Sequence, residues 1–136
     1  MKPPGKEDLE GLPSHYRDEV TTLRAAGVKG WQQLAALNEQ QLRALARSGR
    51  ASEARLLQLR AQARLMEAAG LARQEAALLL HAGIAESTAL AQADPQRLHV
   101  LVRRLWTRLL GPALPTPSLS TVQGWIRAAA ASRSAN

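Results

Sequence analysis

The sequence carries one pattern twice, at an offset of fifty-six residues. At this offset, residues 14–47 and residues 70–103 are identical at eleven of thirty-four positions. Several other pairs conserve apolar character, as Val28 and Ile84 do. The identical pairs include Arg17/Arg73, Glu19/Glu75, Leu23/Leu79, Gly27/Gly83, Leu34/Leu90, Leu42/Leu98 and Arg47/Arg103. Duplication explains this agreement better than shared composition does, so we expect two similar units that share one core.

The repeated unit is helical by composition and by pattern. Apolar residues make up 46% of the chain and are almost all Leu and Ala, with seven Val and Ile together and no Phe. Leu and Ala favour helices, and the scarcity of β-branched residues disfavours strands. Capping residues and apolar spacing predict helices over residues 14–26, 31–36, 38–47, 52–69, 72–82, 87–92, 95–110 and 118–131. The fold class is therefore all-α.

The chain divides into four segments. Residues 1–12, rich in Pro, Gly and charge, are predicted to be a flexible lead-in, and residues 13–110 form the duplicated domain. Residues 111–117, "GPALPTP", form a semi-rigid linker. Residues 118–131 form a C-terminal helix that we expect to dock back on the domain. The chain is short enough to form one cooperative body.

The helix over residues 95–110 has two distinct sides. Its apolar side is predicted to be buried and consists of Leu98, Leu101, Val102, Leu105 and Leu109. Arg97, Arg104 and Arg108 lie on the opposite side. We call these three residues the arginine stripe. The net charge of the chain is +7, and no acidic residue follows Asp94. Such a stripe binds anionic partners, although a GC-rich genome also raises the arginine content of a solvated surface.

The segment "GLARQEA", Gly70 to Ala76, resembles the hairpin of helix-hairpin-helix domains, which reads Gly, apolar, Gly, three residues, Ala. Here Ala72 replaces the second Gly. "SHYRDEV", from Ser14, and "SGRASEA", from Ser48, are more distant versions. Together with "HAGI", "ADPQRLH" and "PSLSTVQGWIRAA", the order of features over residues 11–131 is similar to the family numbered 4332 among domains of unknown function, which is common in cyanobacteria. The resemblance implies tandem helix-hairpin-helix units.

Hairpins of this kind bind nucleic-acid phosphates, because backbone amides and a helix N-terminus point at the anion. The resemblance therefore implies sequence-independent phosphate binding, supported by neighbouring arginines. The candidate residues are Gly70, Leu71, Ala72, Arg73, Arg64, Gly49, Arg50, Arg97, Arg104 and Arg108.

An interaction or scaffold role without nucleic acid is the alternative function. An arginine face meets an acidic protein as readily as DNA. Trp31 and Trp125 are candidate interface anchors in this interpretation, although tryptophans at helical spacing more often belong to the core. The C-terminal helix also leaves self-association open.

Other functional classes are disfavoured by residue types and spacing. The chain has no cysteine, and its three histidines (His15, His81 and His99) show neither metal spacing nor neighbouring acids. We therefore expect no metal, cofactor, small-molecule substrate or catalytic residue. The N-terminus lacks an export signal, and no apolar segment is long enough to span a membrane, so the expected location is the cytoplasm.

Overall fold

The described residues form an all-helical structure. This computed structural model describes Leu9 and residues 12–134, which contain a 3₁₀ turn at Ser14–Tyr16 and no strand. The helices are α1 Arg17–Ala25, α2 Trp31–Ala35, α3 Glu39–Ser48, α4 Glu53–Ala69, α5 Arg73–His81, α6 Ser87–Ala91, α7 Pro95–Leu110 and α8 Leu119–Ser134. Across the described part of the chain, no helix has the length and hydropathy needed to cross a membrane.

Most of the predicted lead-in, residues 1–8, 10 and 11, lies outside the described residues. Leu9 is described, and it is buried in the core. Its backbone amide donates a hydrogen bond to the Lys29 carbonyl oxygen over 3.3 Å. At this position the chain packs against the corner between α1 and α2 instead of extending freely.

The bounds of α1 and α2 recur in α5 and α6 at the offset of the sequence pattern. The turn after the first helix recurs as well, because Gly27 and Gly83 have left-handed φ angles of 87° and 89°. The amide of the next residue, Val28 or Ile84, donates back to a helix carbonyl over 2.9 Å in both places. Glycine ends a helix in this way because it adopts positive φ without a Cβ clash.

α8 occupies the same place in the second half as α4 does in the first. α4 packs against α2 and α3, and α8 packs against α6 and α7. Both helices are capped by a serine, since the hydroxyl oxygens of Ser52 and Ser118 accept the amides of Arg55 and Thr121 over 3.4 and 3.1 Å. The buried positions share one spacing: Leu56, Leu59 and Ala63 in α4, and Val122, Trp125 and Ala129 in α8.

The two halves meet where α4 packs against α8, α5 and α6. One continuous cluster of buried side chains runs from Leu9 to Ala129. Since α4 and α8 belong to different halves and contact each other, neither half buries its apolar side without the other.

Polar side chains fix the corner between α2 and α3 to α4. The Leu37 carbonyl oxygen accepts one hydrogen bond from Arg60 (3.2 Å) and one from Arg64 (3.1 Å). Arg60, whose side chain is 9% exposed, also pairs with the Glu39 carboxylate. This hydrogen bond is the main reason that the pKa of Glu39 lies below its ordinary value.

Candidate functional site

The outward face of α7 carries the most distinctive surface of the described chain. Asp94 caps this helix by accepting the Gln96 amide over 3.1 Å, and Pro95 occupies its first position. Leu98, Val102 and Leu105 are buried. The three residues of the arginine stripe are exposed.

Two leucines predicted to be in the core of α7 are exposed, so that part of the prediction is wrong. Leu101 retains 38% of its surface and Leu109 retains 48%. The main helices that pack against α7 are α5 and α8, and the buried strip of α7 excludes both leucines. Leu101 lies beside Val100, which is 47% exposed, between Arg97 and Arg104 of the arginine stripe.

All exposed large apolar side chains of the described residues lie within one segment. They are Val100, Leu101, Leu109 and Leu114. The same segment contains Arg103 and two residues of the arginine stripe, Arg104 and Arg108, and no acidic residue. The surface of α7 and the linker is therefore both cationic and apolar, a combination typical of binding surfaces.

Two cavities adjoin this surface. The first is a shallow groove on α7 itself, lined by Gln96, Arg97, Val100, Leu101 and Arg104. The second lies between α7 and the returning linker, and we call it the linker cavity. Val100, Arg103, Arg104, Thr107 and Thr116 line it. Arg104 thus contributes to both cavities.

The predicted hairpin does join two helices, but its polar groups are already engaged. Gly70 ends α4 with a left-handed φ of 66°, and Leu71 is fully buried. The Ala72 amide donates to the Glu75 carboxylate over 2.8 Å. A phosphate at this position would compete with a carboxylate for the same amide and would be repelled by its charge. None of the residues 70–73 lines either cavity beside α7.

Arg64, which was predicted to assist the hairpin, makes hydrogen bonds with another part of the chain. Its guanidinium donates to the carbonyl oxygens of Ala35 (3.0 Å) and Leu37 (3.1 Å) at the end of α2. Arg64 therefore satisfies backbone acceptors left open by a helix C-terminus. Gly49 and Arg50 are exposed in the turn between α3 and α4, away from the hairpin in sequence and on another corner of the chain.

The two candidate interface tryptophans belong to the core. Trp31 has no exposed surface, and Trp125 retains only 6%. Trp31 begins α2, and Trp125 lies on the side of α8 that shares its buried spacing with α4. The prediction that they anchor a partner is therefore wrong, because a buried ring offers no contact surface. The exposed apolar side chains are aliphatic, and sequence reasoning had assigned two of them to the core.

The pKa shifts of Tyr16 and Glu39 arise from contacts that hold helices together. Burial raises the pKa of the Tyr16 hydroxyl, which donates a hydrogen bond to Gln58 over 3.0 Å. Within the described residues, no group of three or more His, Asp or Glu side chains is arranged to hold a metal ion. Neither Tyr16 nor Glu39 lies on α7.

Comparison with known proteins gives one match. A family model described as "Domain of unknown function (DUF4332)" matches residues 13–132, which contain α1 to α7 and most of α8. No curated protein matches the chain, and no solved structure matches it.

Proposed function

The chain belongs to the DUF4332 family, whose description assigns no function, and we propose that it is a non-catalytic protein that binds nucleic-acid phosphates without sequence preference. The single observation that supports this proposal is the exposed arginine stripe on α7. It lies in a segment without any acidic residue from position 95 onward. Guanidinium groups pair well with phosphate oxygens and do not by themselves read bases.

The proposed binding surface is the stripe and not the hairpin. Of the candidate residues, Arg97, Arg104 and Arg108 stay exposed on one helix, and the Ala72 amide is occupied by Glu75. A straight helix presents the three arginines over about 16 Å, since each residue adds about 1.5 Å. Each strand of a DNA duplex carries a phosphate for about every 3.4 Å of the axis, so each arginine can reach a phosphate of its own.

The membership of the DUF4332 family and the helix bounds support a second proposal, about origin and architecture. We propose that the two halves are tandem helix-hairpin-helix units produced by duplication, in a cytoplasmic protein of cyanobacterial type. The matching bounds of α1/α5 and α2/α6 support duplication. The short connection between α4 and α5, with Gly70 at its start, supports the hairpin assignment.

The proposal is tested by fluorescence anisotropy of a labelled duplex at several salt concentrations. The variant Arg97→Gln/Arg104→Gln/Arg108→Gln should reduce the slope of log affinity against log salt by about 0.9 for each phosphate that it no longer neutralises. The control Arg17→Gln/Arg24→Gln/Arg47→Gln removes the same charge from exposed positions in the first half. We expect the control to change the slope little. Equal slopes for the wild type and the α7 variant would contradict the proposal.

An acidic protein is the second candidate partner, and the exposed pair Val100 and Leu101 favours it. Protein interfaces combine arginine with apolar contact area, whereas phosphate contacts need no apolar neighbour. The variant Val100→Ser/Leu101→Gln keeps the charge of the surface. Duplex affinity that survives this change supports nucleic-acid binding. Failure of the wild type to bind duplex even at low salt would leave the protein partner as the better candidate.

A further inference from the structure

We propose that the linker cavity binds a phosphomonoester group, and that under the proposed function this group is the terminal phosphate of a nucleic-acid strand. The identity of the macromolecule rests on the proposed function, whereas the chemistry of the cavity does not. The cavity measures about 520 Å³, which is room for a phosphate and the sugar attached to it.

Four polar side chains converge on this cavity from two sides. Arg103, Arg104 and Thr107 occupy neighbouring positions on α7, within about one helical turn of one another. Thr116 contributes to the lining from the linker. The guanidinium groups supply several N–H donors in a planar fork, and each hydroxyl can donate one more hydrogen bond. Hydrogen-bond donors on both sides are what the oxygens of a phosphate require.

The charge of the cavity fits a monoester better than a diester. Arg103 and Arg104 are exposed and have no ion pair among the described residues, whereas Arg97 pairs with Asp94 over 3.6 Å. No carboxylate lines the cavity. A phosphomonoester carries a charge of about −1.5 to −2 at neutral pH and so balances two guanidinium groups. A diester within a strand carries about half that charge.

The wall that carries Thr116 is held in place before a ligand arrives. Pro115 and Pro117 flank Thr116 in the sequence. Proline fixes its own φ and restricts the residue before it to extended conformations, so the segment has few alternatives. Thr116 and Pro117 are also partly buried. A fixed wall lowers the entropy that binding must overcome.

The decisive experiment compares three fluorescent single strands of one sequence, which end in a 5′-phosphate, a 3′-phosphate or hydroxyl groups only. The label is attached at the opposite end or internally. Anisotropy titrations with the full chain should show about tenfold tighter binding of a phosphate-ended strand than of the hydroxyl-ended strand. Equal affinity for all three strands would overturn the inference.

Two variants separate the cavity from general charge attraction. Thr116→Val keeps the shape and the net charge, and it should reduce the preference for the phosphate-ended strand by about threefold while leaving the hydroxyl-ended strand unaffected. Arg97 lies outside the cavity, so Arg97→Gln should weaken the binding of the phosphate-ended and hydroxyl-ended strands equally. A preference that persists unchanged in Thr116→Val would overturn the assignment of Thr116 and hence of the cavity.

Phenyl phosphate distinguishes a strand end from a small free ligand. If it perturbs the amide resonances of Thr107 and Thr116 in the wild type and not in Thr116→Val, the cavity binds the phosphomonoester itself. If this occurs in a protein that binds no strand, the proposed nucleic-acid function fails and the cavity assignment stands. The remaining outcome is that strands bind through the arginine stripe, a terminal phosphate does not tighten binding, and phenyl phosphate does not perturb the two threonine amides. In that case only the cavity assignment fails.

Discussion

Glu19 and Glu75 are equivalent in sequence but bond to different parts of the molecule. Glu19 is completely buried, and its carboxylate accepts the Ser52 amide at the start of α4 over 2.8 Å. Glu75 instead accepts the Ala72 amide at the start of its own helix. One glutamate thus joins α1 to α4, and the other caps a single helix.

We predict that Glu19→Ala lowers the free energy of unfolding by about 2–3 kcal/mol, because it leaves a buried amide without an acceptor and removes packed atoms. Glu75→Ala should cost about 1 kcal/mol, the usual value for removing a cap. Urea denaturation followed by circular dichroism measures both values. Glu19→Gln is the control, since its amide oxygen still accepts the Ser52 amide, and it should retain much of the stability. Equal losses for Glu19→Ala and Glu75→Ala would contradict the difference in their roles.

At single residues, the backbone conformation could be predicted from the sequence more reliably than the burial of the side chain. Gly27 and Gly83 end helices as their positions indicated, because a cap depends on neighbours in the chain. The burial of Glu19 against Ser52 could not be derived locally. The burial of a side chain depends on which distant helices pack against it. The exposure of Leu101 and Leu109 likewise depends on how other helices pack against α7.

Among the helices, α8 matches α4 at a larger offset than the one that relates α5 to α1. α1 and α5 align at one offset, but α7 is longer than α3 and the linker before α8 is longer than the turn before α4, so Ser118 follows Ser52 at a larger offset. The side chains also differ, because Ile126 and Ala130 take the relative positions of Arg60 and Arg64. The first half therefore uses arginine hydrogen bonds where the second has apolar side chains.

We predict that Gly124→Ala raises the free energy of unfolding by about 0.5–1 kcal/mol. Gly124 lies inside α8, where alanine is the better helix former, and an added Cβ would meet only the flexible end of Arg127 at 4.0 Å. Thermal denaturation should show a higher midpoint for this variant. Gly83→Ala is the matched control and should lower the midpoint, because its left-handed φ strains any residue with a Cβ. A lower midpoint for Gly124→Ala would mean that α8 packs more tightly there than the structure shows.

The helices themselves were largely predictable from the sequence, because serine, asparagine and aspartate caps and glycine ends mark their bounds. The predicted helix over residues 52–69 corresponds to α4, and that over residues 95–110 corresponds to α7. The arginine stripe was predictable for the same reason, since helical spacing alone places its three residues together. The linker cavity was not, because it requires the return of Thr116 along α7.

In the whole molecule, acidic and basic residues are distributed unevenly between the two halves. Glu39, Glu53 and Glu19 all bond within the first half, to Arg60, Arg43 and Ser52 respectively. The chain after Asp94 has arginines and no acid. The first half therefore uses several of its carboxylates to hold helices together. The segment from α7 onward leaves positive charge at the surface, where it attracts anions over about one Debye length.

The shared core leads to a last prediction, that the two halves unfold in one cooperative step. α4 contacts helices of both halves, and α8 packs against α4 as well as against α6 and α7. Trp125→Ala in α8 should therefore lower amide hydrogen-exchange protection in α2 as much as in α6, although α2 lies in the other half.

Leu59→Ala in α4 is the reciprocal variant, because Leu59 is fully buried in the first half. Each change should reduce the free energy of unfolding by about 2–5 kcal/mol, and the loss should appear in the protection of both halves. A matched change at an exposed position of α8, Ser120→Ala, should alter neither. If Trp125→Ala reduced protection in α6, α7 and α8 while α2 kept its wild-type value, the halves would be independent folding units. The contact between α4 and α8 would then be an association of two bodies that are each stable alone.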